Sequence, residues 1–426
     1  MREMKDSGIE WIGNVPNTWT RSKIKNACSM IGSGTTPDSH IVEYYESGTI
    51  NWIQSGDIYG KDYIKNVSVK VTDLSIKTLG ALKLYKAPFI TIAMYGGSVG
   101  NIAISLIDAC ANQACCCLRP ANWVDFKYLF YWITFCKADF LSKAEGGGQP
   151  NISQDKIKNQ WFYAPEIAEQ NIIANYLEKK NSEYKATVFV IQAEIKTLEE
   201  YKQSIISEAV TKGLNRQVEM RESGIRWVSH LPAHWPIIPS KYLFRDSDVR
   251  KQAGDVQLTA SQKYGIISQE EYMERENAKV VLANQGLDDW KHVEPYDFVI
   301  SLRSFQGGLE MSETTGCITW HYVVLKATKP IYPKFYKWLF KSSMYITAIQ
   351  RTCNFIRDGQ DLRYSNFSQV PLYEPPLEEQ KEIADYLDKK CAEIDAVIAT
   401  KQKQLETLDA YKKSLIFEYV TGKKVV

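Results

Sequence analysis

The chain is written twice, and no other property constrains its fold as much. Met4–Trp19 reads MKDSGIEWIGNVPNTW, and Met220–Trp235 reads MRESGIRWVSHLPAHW. At a constant offset of 216, seven of these sixteen positions are identical, including Gly8/Gly224, Trp11/Trp227, Pro16/Pro232 and Trp19/Trp235. A second repeat sets Glu169–Thr211 on Glu379–Thr421 at an offset of 210, with twenty of 43 positions identical. The order is short motif, long variable block, helical block, and then the same again. Self-similarity on this scale governs how every smaller element is read.

Both helical blocks carry heptads. In the first, Leu177, Tyr184, Ile191, Leu198 and Ile205 fall seven apart, with Asn181, Val188, Ile195, Lys202 and Ala209 between them. In the second the two rows are Leu387, Ile394, Lys401, Leu408, Leu415 and Cys391, Ile398, Leu405, Lys412, Tyr419. Spacing of three and four sustained this long predicts a coiled-coil seam. Pro165 and Pro375-Pro376 stand just before the helices, and Gly213 and Gly422 are expected to stop them. Two such seams in one chain are expected to pack as an intramolecular antiparallel coiled coil with a pseudo-twofold axis, a C2 dimer within one polypeptide.

The blocks between, roughly 20–164 and 236–374, differ in sequence but share an outline. Short apolar strands are expected at Phe89–Met94, Val99–Ile107 and Ala114–Leu118, and at Lys279–Leu282, Asp297–Leu302 and Cys317–Leu325. An aromatic helix follows in each, Asp125–Ala144 and Tyr332–Arg351, then a polar glycine loop. The fold class expected is α+β, with two similar α/β domains alternating with the two long helices. The boundaries are 1–164 for the first domain with its motif 4–19, 165–215 for the central helical region, 216–375 for the second domain with its motif 220–235, and 376–426 for the last helical region.

Divergent blocks on a repeated frame suit a fixed scaffold with two different reading heads. Polar loop residues supply the chemistry: asparagine and glutamine pair with adenine, and arginine pairs with guanine. The candidates for DNA contact in the first block are Ser33, Thr35, Thr36, Ser55, Ser98, Gln149 and Asn151. In the second they are Gln262, Lys263, Tyr264, Arg303, Ser304, Gln306, Arg357, Gln360 and Arg363. The bland reading of any one of them is a solvated turn.

Catalytic signatures are missing. The chain has no GxxxxGK[ST] loop, no GxGxxG fingerprint and no Asn/Asp-Pro-Pro-Tyr tetrapeptide. His230 and His234 are four apart, but Pro232 and Pro236 keep them off one helix face, so no metal is expected. The nine cysteines, with Cys115, Cys116 and Cys117 in a row, form no disulfide framework and point to buried thiols in a reducing cytoplasm. The start, Met1-Arg2-Glu3-Met4-Lys5-Asp6, has no apolar signal segment. Ala87–Ile107 lacks charge until Asp108, yet Gly96-Gly97, Ser98, Gly100 and Asn101 interrupt it, so two strands around a glycine turn are expected and not a membrane span. A net charge of +2 is low for a protein that holds DNA alone, because phosphate neutralisation supplies most non-specific affinity. It is less of an obstacle for one member of a complex.

Several segments together resemble the specificity subunits of type I restriction–modification systems. They are SGIEWIGNVPNTW and SGIRWVSHLPAHW, GGGQPNIS at 146–153, and PPLEEQKEIADYLDKK at 375–390 with its counterpart APEIAEQNIIANYLEKK at 164–180. The resemblance spans essentially the whole chain. It implies a DNA-binding, non-catalytic subunit with two target-recognition domains, bound to two methyltransferase subunits and, in the restriction complex, to motor-nuclease subunits. It also implies adenine as the modified base and S-adenosylmethionine bound by the partner, with no cofactor in this chain. Base-contacting residues do not carry over, because the variable blocks diverge. Two other classes stay open on the residues alone: a coiled-coil scaffold that binds only protein, separable by retention on a DNA library, and a methyltransferase with unfamiliar motifs, separable by binding of S-adenosylmethionine.

If the helices set the gap between two half-sites, four residues inserted near Asn181 will lengthen the first helix by about 6 Å and rotate the domain beyond it by about 40°. A base pair rises about 3.4 Å and turns by roughly 34–36°. Mapping of methylated sites should then find both half-sites unchanged and the spacer longer by roughly one to two pairs. An unchanged spacer with full activity would show that the helices are not the ruler.

Overall fold

The structure, a computed structural model, describes residues 2–145, 150–277, 286–301, 304–352 and 362–426. Two units make up the chain: Met1–Ile191 with Lys403–Val426, and Gln192–Gln402. Each long helix, Ile167–Lys212 and Leu377–Val420, gives one part to each unit.

In both units the two helices run antiparallel. Within the first, the Tyr176 and Tyr419 rings lie 4.7 Å apart, and Tyr184 faces Lys412. Within the second, Lys202 reaches Asp395 at 2.7 Å and Lys401 reaches Glu194 at 2.6 Å. Leu177, Ile191 and Leu415 are buried in the first unit, with Tyr184, Leu405 and Leu408 half-buried. Leu387, Ile394 and Ile398 are buried in the second, with Leu198 and Ile205 half-buried.

The repeated residues have matching tasks at the helix ends. Gln170 is fully buried at the start of the first helix. Its Nε2 donates to the carbonyls of Trp123 and Pro165, and its Oε1 accepts from the Asp125 N–H. Gln380 does the same at the second helix, donating to Pro375 and accepting from Tyr332. A buried amide with all these bonds made is stable, whereas one left unpaired costs about 1–3 kcal/mol. At the far ends, Gly213 and Gly422 take φ of +71° and +70°, the left-handed turn that closes a helix. The first motif seats the end of the second helix: Lys423 Nζ donates to the Ile12 and Asn14 carbonyls, and Tyr128 OH donates to Val420 O. The second motif seats the end of the first helix, where Tyr373 OH donates to Val210 O. Helix-end carbonyls lack partners within the helix, and these tyrosines supply them.

Around each socket lies an aromatic core. In the first unit Trp19, Tyr128, Trp132, Phe162 and Tyr163 pack with Leu415, Ile416 and Val420. In the second, Trp235, Phe244, Phe335, Tyr336 and Tyr373 pack with Ile206, Val210 and Leu387. The first domain rests on a five-stranded sheet ordered Cys28–Ser33, Cys115–Pro120, Phe89–Ala93, Ile102–Ser105, Tyr63–Ile64, antiparallel except for the last pair. Phe89–Ala93 is buried throughout, which explains its uninterrupted apolar run. The second domain has an antiparallel sheet ordered Phe244–Ser247, Val323–Ala327, Phe298–Ile300, Glu310–Met311.

Some expected elements break in two. The aromatic helices divide into Phe126–Phe135 and Lys137–Ser142, and into Pro333–Lys341 and Ser343–Gln350. At the second break Ser342 leaves the helical region, and its hydroxyl donates to Leu339 O while accepting from Tyr345 N–H. Local side-chain bonding of this kind competes with helix continuation. The single strand expected at Cys317–Leu325 is two, Gly316–Ile318 and Val323–Ala327, in different sheets and separated by a turn in which Tyr322 N–H donates to Thr319 O. Lys279–Leu282 lies outside the described residues. Among the described residues, no helix is long and apolar enough to cross a membrane, and the cysteines are free.

A methyl group on Gly422 would sit 2.4 Å from Pro16 Cγ and 2.9 Å from Trp19 Cζ2, whereas on Gly213 it would meet Trp235 only at 3.3 Å. Gly213→Ala should therefore lose about 1–2 kcal/mol, the cost of the left-handed backbone, and Gly422→Ala should lose clearly more. Urea unfolding measures both. Equal losses would show that Pro16 and Trp19 yield without cost.

Candidate nucleic-acid interface

In the first domain the topology gathers loops at one end of the sheet. Cys115–Pro120 is antiparallel to both neighbours, so its start lies beside their ends, with Cys116 opposite Ser33 and Cys115 opposite Ala93. Gly34 N–H donates to Asn112 O, and a Cβ there would fall 1.6 Å from Ala111 O, so only glycine allows this approach. Trp52 Nε1 donates to Thr35 O at 3.2 Å, and Thr36 Oγ1 donates to Gln113 Oε1 at 2.5 Å. Asn112 N–H donates to Ile53 O, which brings in Ser55 at the head of the short helix Ser55–Ile58. Ser98 closes the turn Gly96–Ser98, where Gly96 N–H donates to Pro150 O. Asn151 pairs its backbone with Glu145, and its buried Oδ1 has no hydrogen-bond partner among the described residues. Ser33, Thr35, Thr36, Ser55, Ser98 and Asn151 thus share one end of the sheet. Gln149 lies outside the described residues. Exposed Gln113 belongs to the same surface, and its proximity to Thr36, 77 residues away, left no local signal in the sequence.

The second domain holds a cleft of about 1150 Å³. Gln262, Lys263 and Tyr264, on the turn between Leu258–Ser261 and Gly265–Ser268, line it together with Gln306. Lys337, Lys341 and Gln350 line it as well. Lys337 and Lys341 are four apart on one helix face, a spacing that was readable but masked by the aromatic pattern around it. Ser304 and Arg363 do not line the cleft. Ser304 is buried and its Oγ accepts from Ser301 N–H, while exposed Arg363 heads the short helix Tyr364–Phe367. Arg303, Arg357 and Gln360 lie outside the described residues.

The cations of this cleft are held by carboxylates. Lys263 pairs with Glu276 at 2.9 Å, Lys337 with Glu313 at 3.3 Å, Arg275 with Glu271 at 2.5 Å, and Lys341 with Glu310. Glu276 is held below the usual carboxylate range by its hydrogen bonds to Lys263 and Tyr264. Burial pushes Glu310 up, and Lys341 partly offsets it. Amide and cationic groups on a concave surface can read base edges and hold phosphates. Among the described residues no cluster of three His, Cys, Asp or Glu side chains could hold a metal. The Cys110 and Cys116 thiols are pushed up to about 12 by burial, so they stay protonated and weakly nucleophilic.

Lys341→Met should strand Glu310 as a buried charge and cost roughly 3 kcal/mol or more near neutral pH. Because the folded state raises the Glu310 pKa, it favours the protonated form, and the penalty should shrink as pH falls through that raised value. Urea unfolding of variant and wild type between about pH 5 and 8 checks this. A gap independent of pH would refute it.

Known proteins share this architecture. The family profile described as the type I restriction modification DNA specificity domain matches residues 16–196 and 251–407. The putative type I restriction enzyme MjaX specificity subunit of Methanocaldococcus jannaschii is 22% identical, over 97% of this chain and 95% of its own. The EcoR124I/EcoR124II specificity subunit of Escherichia coli is 23% identical over 48% of this chain and 45% of its own. A chain from structural work on complex assembly and conformational transition of the type I R-M system shares the fold, with a TM-score of 0.66 and 16% identity over 95% of this chain and 98% of that one. Two profile matches on a duplicated α+β frame settle the assignment: the chain belongs to the type I restriction–modification DNA specificity family.

Proposed function

We propose that the chain binds double-stranded DNA at an asymmetric, two-part site, one half read by each domain, with the long helices fixing the spacer. It delivers that site to two adenine methyltransferase subunits and, in the restriction complex, to motor-nuclease subunits. It carries out no chemistry and holds no cofactor, S-adenosylmethionine belonging to the partner. One observation carries this reading: a repeated frame holds two different polar surfaces. Gln170 and Gln380, Trp19 and Trp235, and Gly213 and Gly422 recur at matching places in the frame, yet in sequence the blocks between them share few candidate contact residues, the Gly-Gln step at Gln149 and Gln360 being the exception. Selection for a scaffold alone supplies no reason for that difference, whereas reading two half-sites does.

Within this reading Gln149 and Asn151 in the first domain, and Arg303, Gln306, Arg357, Gln360 and Arg363 in the second, are the leading base-contact candidates. Loss of a base-reading arginine costs roughly 1–3 kcal/mol and relaxes one position, whereas loss of a phosphate contact weakens all sequences alike.

The test is methylation mapping in cells carrying this chain with its neighbouring methyltransferase. The chain alone should methylate nothing, and the pair should mark one bipartite motif. Exchanging residues 20–164 for the block of a relative should change one half-site only. Methylation by the purified chain, or a change in both halves, would overturn the proposal.

A further inference from the structure

A lysine is an odd occupant of a helical seam, and this chain has three, at Lys202, Lys401 and Lys412. Two are neutralised: Lys202 by Asp395 and Lys401 by Glu194. Lys412 is half-buried and, among the described residues, has no carboxylate within ion-pair distance. Its Nζ instead lies 4.7 Å from the centre of the Tyr184 ring. Burial lowers its pKa, Lys185 and Lys137 push the same way, and Asp62 and Asp409 oppose them. The fold therefore holds a cation where it is disfavoured.

Lys412 opens into a cavity of about 280 Å³ in the first unit, walled also by Lys61, Lys137 and Lys185. Asp62 is the one carboxylate of that lining, and it is taken: Lys185 reaches it at 2.6 Å and Asn181 Nδ2 donates to it at 2.6 Å. Among the described residues Lys137 bonds only Asn101 Oδ1, at 3.3 Å, and its pKa is pushed down by burial and by Lys413. Four lysines against one acid exceed the net charge of the entire chain, +2. The cavity adjoins the loop end of the sheet. Gly100 and Asn101 continue the turn that carries Ser98, and Gly60 and Lys61 follow the short helix that begins at Ser55.

We infer that this lysine notch binds a backbone phosphate of the DNA duplex beside the half-site read by the first domain, with Lys412 and Lys137 as its principal contacts. The inference rests on the DNA-reading function proposed above. An anionic oxygen is the ligand that relieves a half-buried cation among like charges, and the loops next to the notch carry the DNA-contact candidates Ser55 and Ser98. In the second unit Lys202, at the matching repeat position, is already paired with Asp395. The matching position of the second unit is therefore already neutralised.

The test uses the full complex with its methyltransferase partner, bound to cognate and non-cognate duplexes across a salt series. For the double variant Lys412→Gln with Lys137→Gln, affinity should fall severalfold on both duplexes alike. The slope of log affinity against log salt should become shallower by about 0.9 for each phosphate that is no longer neutralised. Lys412→Arg should keep the wild-type slope. Lys412→Gln alone should unfold in urea no earlier than wild type, because it removes an unpaired half-buried charge; a merely structural lysine would give an earlier transition. An unchanged salt slope, or a loss confined to the cognate duplex, overturns the inference while leaving the DNA-reading function intact. A wild-type complex without sequence-specific retention overturns that function, and the inference with it.

Discussion

The seating of a helix end in an aromatic socket is the interaction on which the rest of the structure depends. A long helix presents unpaired carbonyls at its C-terminus and a bare apolar stripe along its side. Here Tyr128 takes Val420 O, Tyr373 takes Val210 O, and Trp19 and Trp235 close the cavity around the glycine that follows each helix. Without that socket the motifs at 4–19 and 220–235 would be short hairpins with little to bury. With it they become part of each unit's largest core. The sockets also constrain the frame: Gly422 crowds Pro16 and Trp19, and Gly213 crowds Trp235, so a change in one residue of a socket requires changes in the others.

Above the frame the constraints relax. The five-stranded sheet of the first domain and the four-stranded sheet of the second are built differently, and their polar ends hold different residues. A rigid scaffold that positions variable loops is a general solution for recognition, because loops can change without loss of the core. The cation arrangements diverge too. Most cations of the second domain's cleft are matched by carboxylates, which limits non-specific attraction to phosphate, while the notch of the first unit leaves charge unmatched.

Much of the frame was readable because repetition and heptad spacing are patterns in sequence itself. The offset of 210 aligned Gln170 with Gln380 before any contact was known, and the seam rows placed Leu177, Ile191, Leu387 and Ile394 where the helices meet. Boundaries that depend on a single side-chain bond were not readable. Ser342 ends a helix through its own hydroxyl in the middle of an aromatic run that has helical character throughout. Nor was the make-up of the polar surfaces readable. Gln113 joins Thr36 only because two strands align their ends, and Lys341 enters the cleft beside Gln262 only once the sheet and helix have packed. Lys412 did leave a signal, a charge in an apolar row, but the pairing of Lys202 and Lys401 shows that such a signal has two outcomes.

The division of the chain between the units also bears on its synthesis. The second unit is one continuous stretch, Gln192–Gln402, whereas the first needs Lys403–Val426 as well as Met1–Ile191. Leu415, Ile416, Tyr419 and Val420 are part of its core. A ribosome working from the N-terminus therefore makes the first domain early but withholds the residues that complete it until after the second unit. Trp19, Tyr128 and Tyr163 must wait with an open face while more than 200 later residues are added. The first domain can finish only once Lys403–Val426 has been made, so a chain cut short before residue 403 leaves apolar surface exposed, the kind of surface that chaperones and proteases recognise.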